Sequence, residues 1–331
     1  MYIVTGGAGF IGSNIVRALN ERGVSDLILV DRVNPETSPN LTDLRFAQYL
    51  DRDAFRAALA RAALPDRVEA IFHQGACTDT TESNEQFLMD NNFAFSREVL
   101  NYALARKIPL VYASSAAVYG ASPAFEEHPN NERPLNLYGQ SKLAFDNHVR
   151  TILDRAESTV VGFRYFNVYG PRESHKGRMS SMAYQICRQI AEHGRVKLFE
   201  GTDGYASGEQ RRDFIFVGDV VEANLSFAAG RPMKGIINLG TGVSRSFNDV
   251  AHSVIKLLGK GKIEYVPFPS SLIGKYQSFT EAKLDALRQT GYECPFTKLE
   301  DGIAKSLGDW LREGTRKVTQ ASRPLGGSTP K

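Results

Sequence analysis

The sequence predicts an α/β chain: a doubly wound parallel sheet joined to a smaller, interleaved α/β lobe. Three observations carry this expectation. Short apolar runs alternate with amphipathic stretches through the first half, a glycine-rich turn separates the first run from the first amphipathic stretch, and the rhythm breaks after Arg164. The runs at residues 2–5, 27–30, 68–73, 108–113 and 159–164 have the length of buried strands. Between them, 11–22 carries Ile11, Ile15, Ala18 and Leu19 at helical spacing, and 85–106 is a second helix candidate. After Arg164, Gly170-Pro171 opens an irregular basic loop, followed by a helix near 179–193 and short strands at 196–199 and 214–217. The expected division is therefore a sheet half made of residues 1–168 and 214–242, and a second lobe made of 169–213 and 243–315. The stretch 316–331 lacks apolar periodicity and ends rich in glycine and proline, so it is expected to be a disordered tail.

Composition narrows the function. The 331 residues are 42% hydrophobic and 23% charged, which suits a soluble globular chain. A net charge of +3 is far from the concentrated positive charge of a phosphate-backbone binder, so no nucleic-acid partner is expected. No run approaches the roughly 18 apolar residues of a membrane span, and the chain opens on a strand-like segment, so a cytoplasmic location is expected. Cys77, Cys187 and Cys294 are odd in number and widely spread, which suggests neither a disulfide framework nor a metal site.

The first motif is Thr5-Gly6-Gly7-Ala8-Gly9-Phe10-Ile11-Gly12, lying between the first strand and the first helix. Glycines there allow a tight turn and let the backbone approach a pyrophosphate, which the free amides and dipole of the helix N-terminus stabilise. Asp31, nineteen residues past Gly12, ends the second strand at the spacing of a carboxylate that reaches an adenosine ribose. Arg32 follows it directly and would favour NADP by pairing with a 2′-phosphate, unless it is a solvated surface arginine, in which case NAD is possible; Arg52 would add a second charge.

Ligands of open α/β sheets lie outside the carboxyl ends of the strands. That places Gln74, Gly75, Ala76, Cys77 and Thr78 beside the cofactor, with Asn91 on the following helix and Ser115 at the next strand end. Tyr138 and Lys142 form a YxxxK pair on one helix face. Thirteen tyrosines make such a pair unremarkable by itself, so its context carries the weight. An ammonium beside a phenol lowers the phenol's pKa from about 10, as a general base for a hydroxyl requires, and Ser115 would hydrogen-bond the same oxygen.

Through residues 5–12, Ser115, Tyr138 and Lys142, the chain resembles the extended short-chain dehydrogenases/reductases over about residues 1–315. Segments 72–82, 164–173, 175–177, 197–201, 212–214, 268–269 and 274–279 resemble a branch of that family, the sugar-nucleotide epimerases that act on an ADP-linked heptose. The resemblance implies a Rossmann half binding NADP and a lobe binding ADP-heptose. The implied reaction is inversion of C6 by transient oxidation to a ketone, in a homo-oligomer serving lipopolysaccharide inner-core synthesis. It further implies two acid/base groups, Tyr138 and Lys176, cofactor contacts from Phe10, Ile11, Val168 and Lys176, and substrate contacts from Asn167, Arg178, Gln185, Phe199, Glu200, Gly201, Thr202, Arg212 and Tyr276. Three places depart from the branch: Arg178 stands where a serine is common, Gln185 where a histidine is common, and 203–210 is a longer loop before Arg211-Arg212. They leave open which of those two arginines reaches a diphosphate.

Three competing readings remain. A UDP-hexose 4-epimerase would use the same Ser, Tyr and Lys, and a dinucleotide-binding scaffold would leave them idle. A sugar-nucleotide dehydratase would need an acidic pair where this chain has Ala116-Ala117.

Overall fold

The computed structural model describes residues 1–272 and 276–321. Twelve strands are seen among them: β1 (Tyr2–Thr5), β2 (Leu27–Asp31), β3 (Gln48–Asp51), β4 (Ala70–His73), β5 (Leu110–Ser115), β6 (Val160–Tyr165), β7 (Asn167–Tyr169), β8 (Arg195–Phe199), β9 (Arg211–Phe216), β10 (Lys234–Leu239), β11 (Ser244–Ser246) and β12 (Lys262–Val266). Seven of these form one sheet in the order β10-β6-β5-β4-β1-β2-β3, every neighbouring pair parallel. The chain leaves β1 in one direction and returns to β4 on its other side, so the strand order reverses between Thr5 and His73. A crevice outside the strand ends opens at such a reversal.

Both faces of this sheet are covered, which is why its central strands read as continuous apolar runs. Alternation along the strands sends Val4, Leu29, Phe72 and Val161 to one face, against helices Phe10–Glu21 and Val217–Ala229. Ile3, Ile28, Ile71 and Val160 face the other way, against Val99, Phe145 and Val149. A separate core gathers Ile186, Val196, Phe214, Val250 and Trp310 beneath the second lobe. There β7, β9 and β11 form a small sheet, and β8 pairs with β12. The chain visits this lobe through β7 to β9, returns to the large sheet at β10 and leaves again at β11, so the two parts interleave.

Two differences from the expected elements have physical reasons. The stretch 85–105 is not a uniform helix: a π-helical turn, Met89–Ala94, separates helix Glu85–Leu88 from helix Phe95–Ala105. The last helix, Leu299–Ala321, takes in the first six residues of the stretch expected to be a disordered tail. An established helix extends at little cost through residues that lack an apolar stripe, and no proline stands between Leu299 and Ala321. The remainder of that stretch, 322–331, lies outside the described residues.

Candidate active site

The glycine-rich turn is built for close approach. Gly6 adopts φ +66° and lies so near the next strand end that a Cβ there would stand 2.7 Å from the Gly75 nitrogen. A Cβ on Gly12 would run into the Gly6 carbonyl oxygen. The helix starting at Phe10 has no side-chain cap and no acidic residue in its first turn, so its leading amides and dipole are left for an anion. Asp31 turns back onto this loop: its carboxylate accepts from Ala8 N at 3.0 Å and Arg32 N at 2.8 Å. Burial raises its pKa, against the lowering pull of those amides.

Beside the turn is a cavity of about 270 Å³ lined by Arg32, Arg52, Gly75, Ala76, Cys77 and Asn91 among others. Arg52 is held there by Asn91 Oδ1 at 2.6 Å. Gln74 lies at the same strand end, but its side chain is engaged by Tyr165 and Asn224, each at 3.1 Å, and Thr78 is exposed. Cradle, free amides and paired arginines together fit a nicotinamide dinucleotide.

Asn136 caps the helix Leu137–Arg150 and sets Tyr138 and Lys142 one turn apart. Ser115 ends β5 and hydrogen-bonds the Tyr138 hydroxyl. The electrostatics differ from the expectation that the ammonium lowers the phenol's pKa: the Tyr138 pKa is raised, because burial outweighs the Ser115 hydrogen bond, with Cys77 adding to the rise. Spacing put the two side chains on one face but did not show where the ammonium goes. Lys142 donates to the Ala113 carbonyl at 2.8 Å and is itself lowered to about 8, by burial against the opposing pull of Asp146 and Cys77.

Lys176 comes from another segment altogether, the loop after β7. Its Nζ lies 5.7 Å from the centroid of the Phe10 ring, on the glycine-rich turn. Burial lowers its pKa and Glu173 opposes that. Val168 sits in the middle of β7, half-buried beside the main core.

The residues expected to hold substrate fall into two groups. Arg212 is 8% exposed, stacks 4.9 Å from the Tyr276 ring and 5.7 Å from Phe247, and pairs with no carboxylate among the described residues. Tyr276 packs edge-on to Phe268, which packs edge-on to Phe199 at the end of β8. Glu200, Gly201 and Thr202 form the turn that follows, where Gln210 donates to the Glu200 carbonyl. Asn167 joins this group by accepting from Thr280 at 3.3 Å. Arg211, in contrast, is spent on Ser244. Arg178 and Gln185 lie apart: Arg178 is exposed and donates to Asp79 and Thr81, while Gln185 donates to the carbonyls of Arg178 and Ser180 beside a cavity of about 280 Å³.

A family model described as the NAD dependent epimerase/dehydratase family matches residues 2–240. The chain belongs to the NAD dependent epimerase/dehydratase family. It is 51% identical over 308 residues to an ADP-L-glycero-D-manno-heptose-6-epimerase of Alkalilimnicola ehrlichii, covering 93% of this chain and 96% of the relative. The crystal structure of the Helicobacter pylori ADP-L-glycero-D-manno-heptose-6-epimerase superposes with a TM-score of 0.81 at 32% identity, covering 94% and 96% of the two chains. MoeE5 in complex with UDP-glucuronic acid and NAD superposes at 0.74 with 27% identity, covering 94% and 98%.

Within this epimerase/dehydratase frame, several residues at the site carried no sequence signal. Asn40 is 4% exposed and its amide lies within hydrogen-bond distance of Ala8 O, Arg172 O and His175 Nδ1, tying the glycine-rich turn to the Lys176 loop. Asn92 brackets the Cys77 backbone with one bond to its nitrogen and one from its own amide to its carbonyl, and also reaches Ser141. Asp146, one turn beyond Lys142, is fully buried against Arg164, Tyr112 and Ser114. Only Asp146 could have been found, because it continues the 138, 142 spacing.

Proposed function

We propose that this chain is an isomerase that inverts C6 of the heptose in ADP-D-glycero-β-D-manno-heptose to give the L-glycero epimer. The observation that carries this reading is the convergence of two proton-handling groups on the glycine-rich turn's end of the sheet. Tyr138, half-buried on its helix, has its hydroxyl beside Ser115, and Lys176 arrives from a different segment onto Phe10. The 51% relative supports the ADP-heptose substrate.

A carbinol carbon without an acidic neighbour does not lose its proton to a side chain at a useful rate. A nicotinamide dinucleotide, when bound, supplies reversible oxidation of that carbon to a planar ketone. The chain's own task is to move the hydroxyl proton, and because the oxygen points oppositely before and after inversion, one group serves each epimer. Tyr138 Oη serves one and Lys176 Nζ the other. Since burial holds Tyr138 protonated, its work as a base depends on Lys142 turning its ammonium from Ala113 toward the phenol.

NADP is the preferred cofactor in this reading. Asp31 is committed to the glycine-rich turn, which leaves Arg32 to meet a 2′-phosphate, with Arg52, paired with Asp53 and held by Asn91, adding positive charge to the same cavity. Gly6, Gly9, Phe10, Ile11 and Gly12 take the pyrophosphate. Residues 1–168 with 214–242 act as the dinucleotide half, and 169–213 with 243–315 as the substrate lobe. There Arg212, rather than Arg211, meets the diphosphate, with Tyr276 and Phe199 offering flat faces. Asn167 and the turn 200–202 complete the substrate's surroundings on that side, and Arg178 and Gln185, which lie apart from this group, reach the substrate only if it extends to their side of the lobe. The enzyme works in the cytoplasm as a homo-oligomer and supplies heptose for the lipopolysaccharide inner core; no helix among the described residues is long and apolar enough to cross a membrane.

Incubating purified protein with ADP-heptose, and separately with UDP-galactose, without added cofactor tests the reading by NMR at the inverted centre. Heptose inversion supports it, galactose-glucose conversion favours a UDP-hexose 4-epimerase, and inertness toward both favours a scaffold. Tyr138→Phe and Lys176→Met should each lower turnover by roughly 10²–10⁴. Unchanged turnover in either variant removes that residue from the chemistry.

A further inference from the structure

Lys176 sits on a loop that has no regular ladder to hold it. The segment runs from Gly170 through a short 3₁₀ turn, Ser174–Met179, and a left-handed glycine, Gly177, to Ser181, which caps the helix Met182–His193. Its two ends meet on a single side chain. The Glu173 carboxylate accepts from Gly170 N at 3.0 Å, from Ser181 N at 2.5 Å and from Ser181 Oγ at 2.9 Å, while its own carbonyl accepts from Lys176 N at 3.0 Å. Glu173 is completely buried. Trp310 pins the same base by donating to the Gly170 carbonyl at 2.9 Å.

We propose that Glu173 is the positioning residue for Lys176: its carboxylate closes the base of the 170–181 loop, its carbonyl holds the Lys176 amide, and its charge sits at the foot of the loop from which the Lys176 ammonium projects. The inference rests on the reading of Lys176 as the second acid/base group. The ionisable neighbours of the loop are otherwise engaged. Arg172 pairs with Asp43, His175 meets Asn40, Arg178 pairs with Asp79, and Arg188 pairs with Glu192. From the first helix, Lys176 meets the uncharged Phe10 ring. Glu173 and Lys176 act on each other in the expected directions: the carboxylate opposes the burial that depresses the lysine, and the lysine opposes the burial that raises the carboxyl to about 7.

The test compares Glu173→Gln with Lys176→Met in the full-length enzyme carrying its cofactor, reading kcat, KM and the pH dependence of kcat. The limb of the wild-type profile that vanishes in Lys176→Met belongs to Lys176. In Glu173→Gln that limb should move about one pH unit toward acid, because an ammonium stripped of its neighbouring carboxylate loses its proton more readily, and kcat should fall at least tenfold with KM within threefold of wild type. If Lys176→Met keeps only residual turnover and loses one limb while Glu173→Gln keeps that limb in place, the positioning role is overturned and the reading of Lys176 stands. If Lys176→Met turns over like wild type, the reading of Lys176 fails and takes this inference with it. Should Glu173→Gln not fold, Glu173→Asp decides. It keeps the charge but draws it back by one methylene, so an unmoved limb with kcat reduced at least fivefold supports the role, and wild-type kcat overturns it.

Discussion

Removing the Asp146 carboxylate, by Asp146→Ala, should destabilise the protein more than a single polar truncation usually does. Asp146 is fully buried and accepts four hydrogen bonds: Tyr112 OH at 3.0 Å, Ser114 Oγ at 2.9 Å, and Arg164 Nε and Nη2, each at 3.0 Å. Arg164 is equally buried, and its other nitrogen, Nη1, has no hydrogen-bond partner among the described residues. Without Asp146 the guanidinium keeps Glu132 at 2.5 Å and the Tyr119 ring at 5.0 Å, but two hydroxyls lose their acceptor. Leaving one member of a buried pair behind costs about 3–5 kcal/mol. With an unfolding entropy of about 2.1 cal/mol/K per residue over 331 residues, that lowers Tm by about 4–7 °C. Differential scanning calorimetry of the wild type, the two single variants Asp146→Ala and Arg164→Met, and the double variant reads it. The double should lose clearly less than the sum of the singles, since neither charge is then stranded. A single-variant shift below 2 °C, or strict additivity, would refute the argument that the pair is coupled.

Three further outcomes are expected. Burial, helped by Lys142, holds the His73 imidazole down to about 3, so between pH 6.5 and 3 the unfolded chain binds a proton that the folded one refuses. Stability therefore falls on acidification through that window, by at most about 1.4 kcal/mol per pH unit, and His73→Gln should flatten the slope seen in urea titrations between pH 6 and 4. Gly12→Ala forces a Cβ into the Gly6 carbonyl, so cofactor retention through gel filtration should drop at least tenfold, and a fully loaded variant would contradict the cradle. Arg32→Ala and Arg52→Ala should each weaken NADP binding by on the order of 10–100-fold while leaving NAD binding within about threefold, measured by fluorescence titration. Equal losses for both cofactors would return the two arginines to general electrostatics.

What the sequence made legible was local. The glycine-rich turn, the first strand and helix, Asp31 at a strand end and the Tyr138–Lys142 helix are each declared within a window of a few residues, and the structure has them where expected. The edge strand β3 escaped because Gln48 and Asp51 bracket only two apolar residues, leaving no run to see. The sign of the Tyr138 shift escaped for a different reason: spacing puts Lys142 on the same face, but the Ala113 carbonyl that takes its ammonium belongs to β5. Arg164 and Glu173 end the segment 164–173 that carries the resemblance, yet their roles, like that of Asn40, come from partners brought near by the fold, which no local pattern names.

The π-helical turn at Met89–Ala94 bears on how this site can be changed. By holding one residue more than an α-helical turn, it lets two successive buried asparagines each find a partner, Asn91 toward Arg52 and Asn92 toward the Cys77 backbone and Ser141. Shortening the gene by one codon here would give a smoother helix, yet every side chain before or after the cut would rotate by about 100° relative to the other part. Such a deletion would tend to tighten the rod while severing one of the two asparagines from its target, so the irregularity is a place where a stability screen and an activity screen should choose opposite winners.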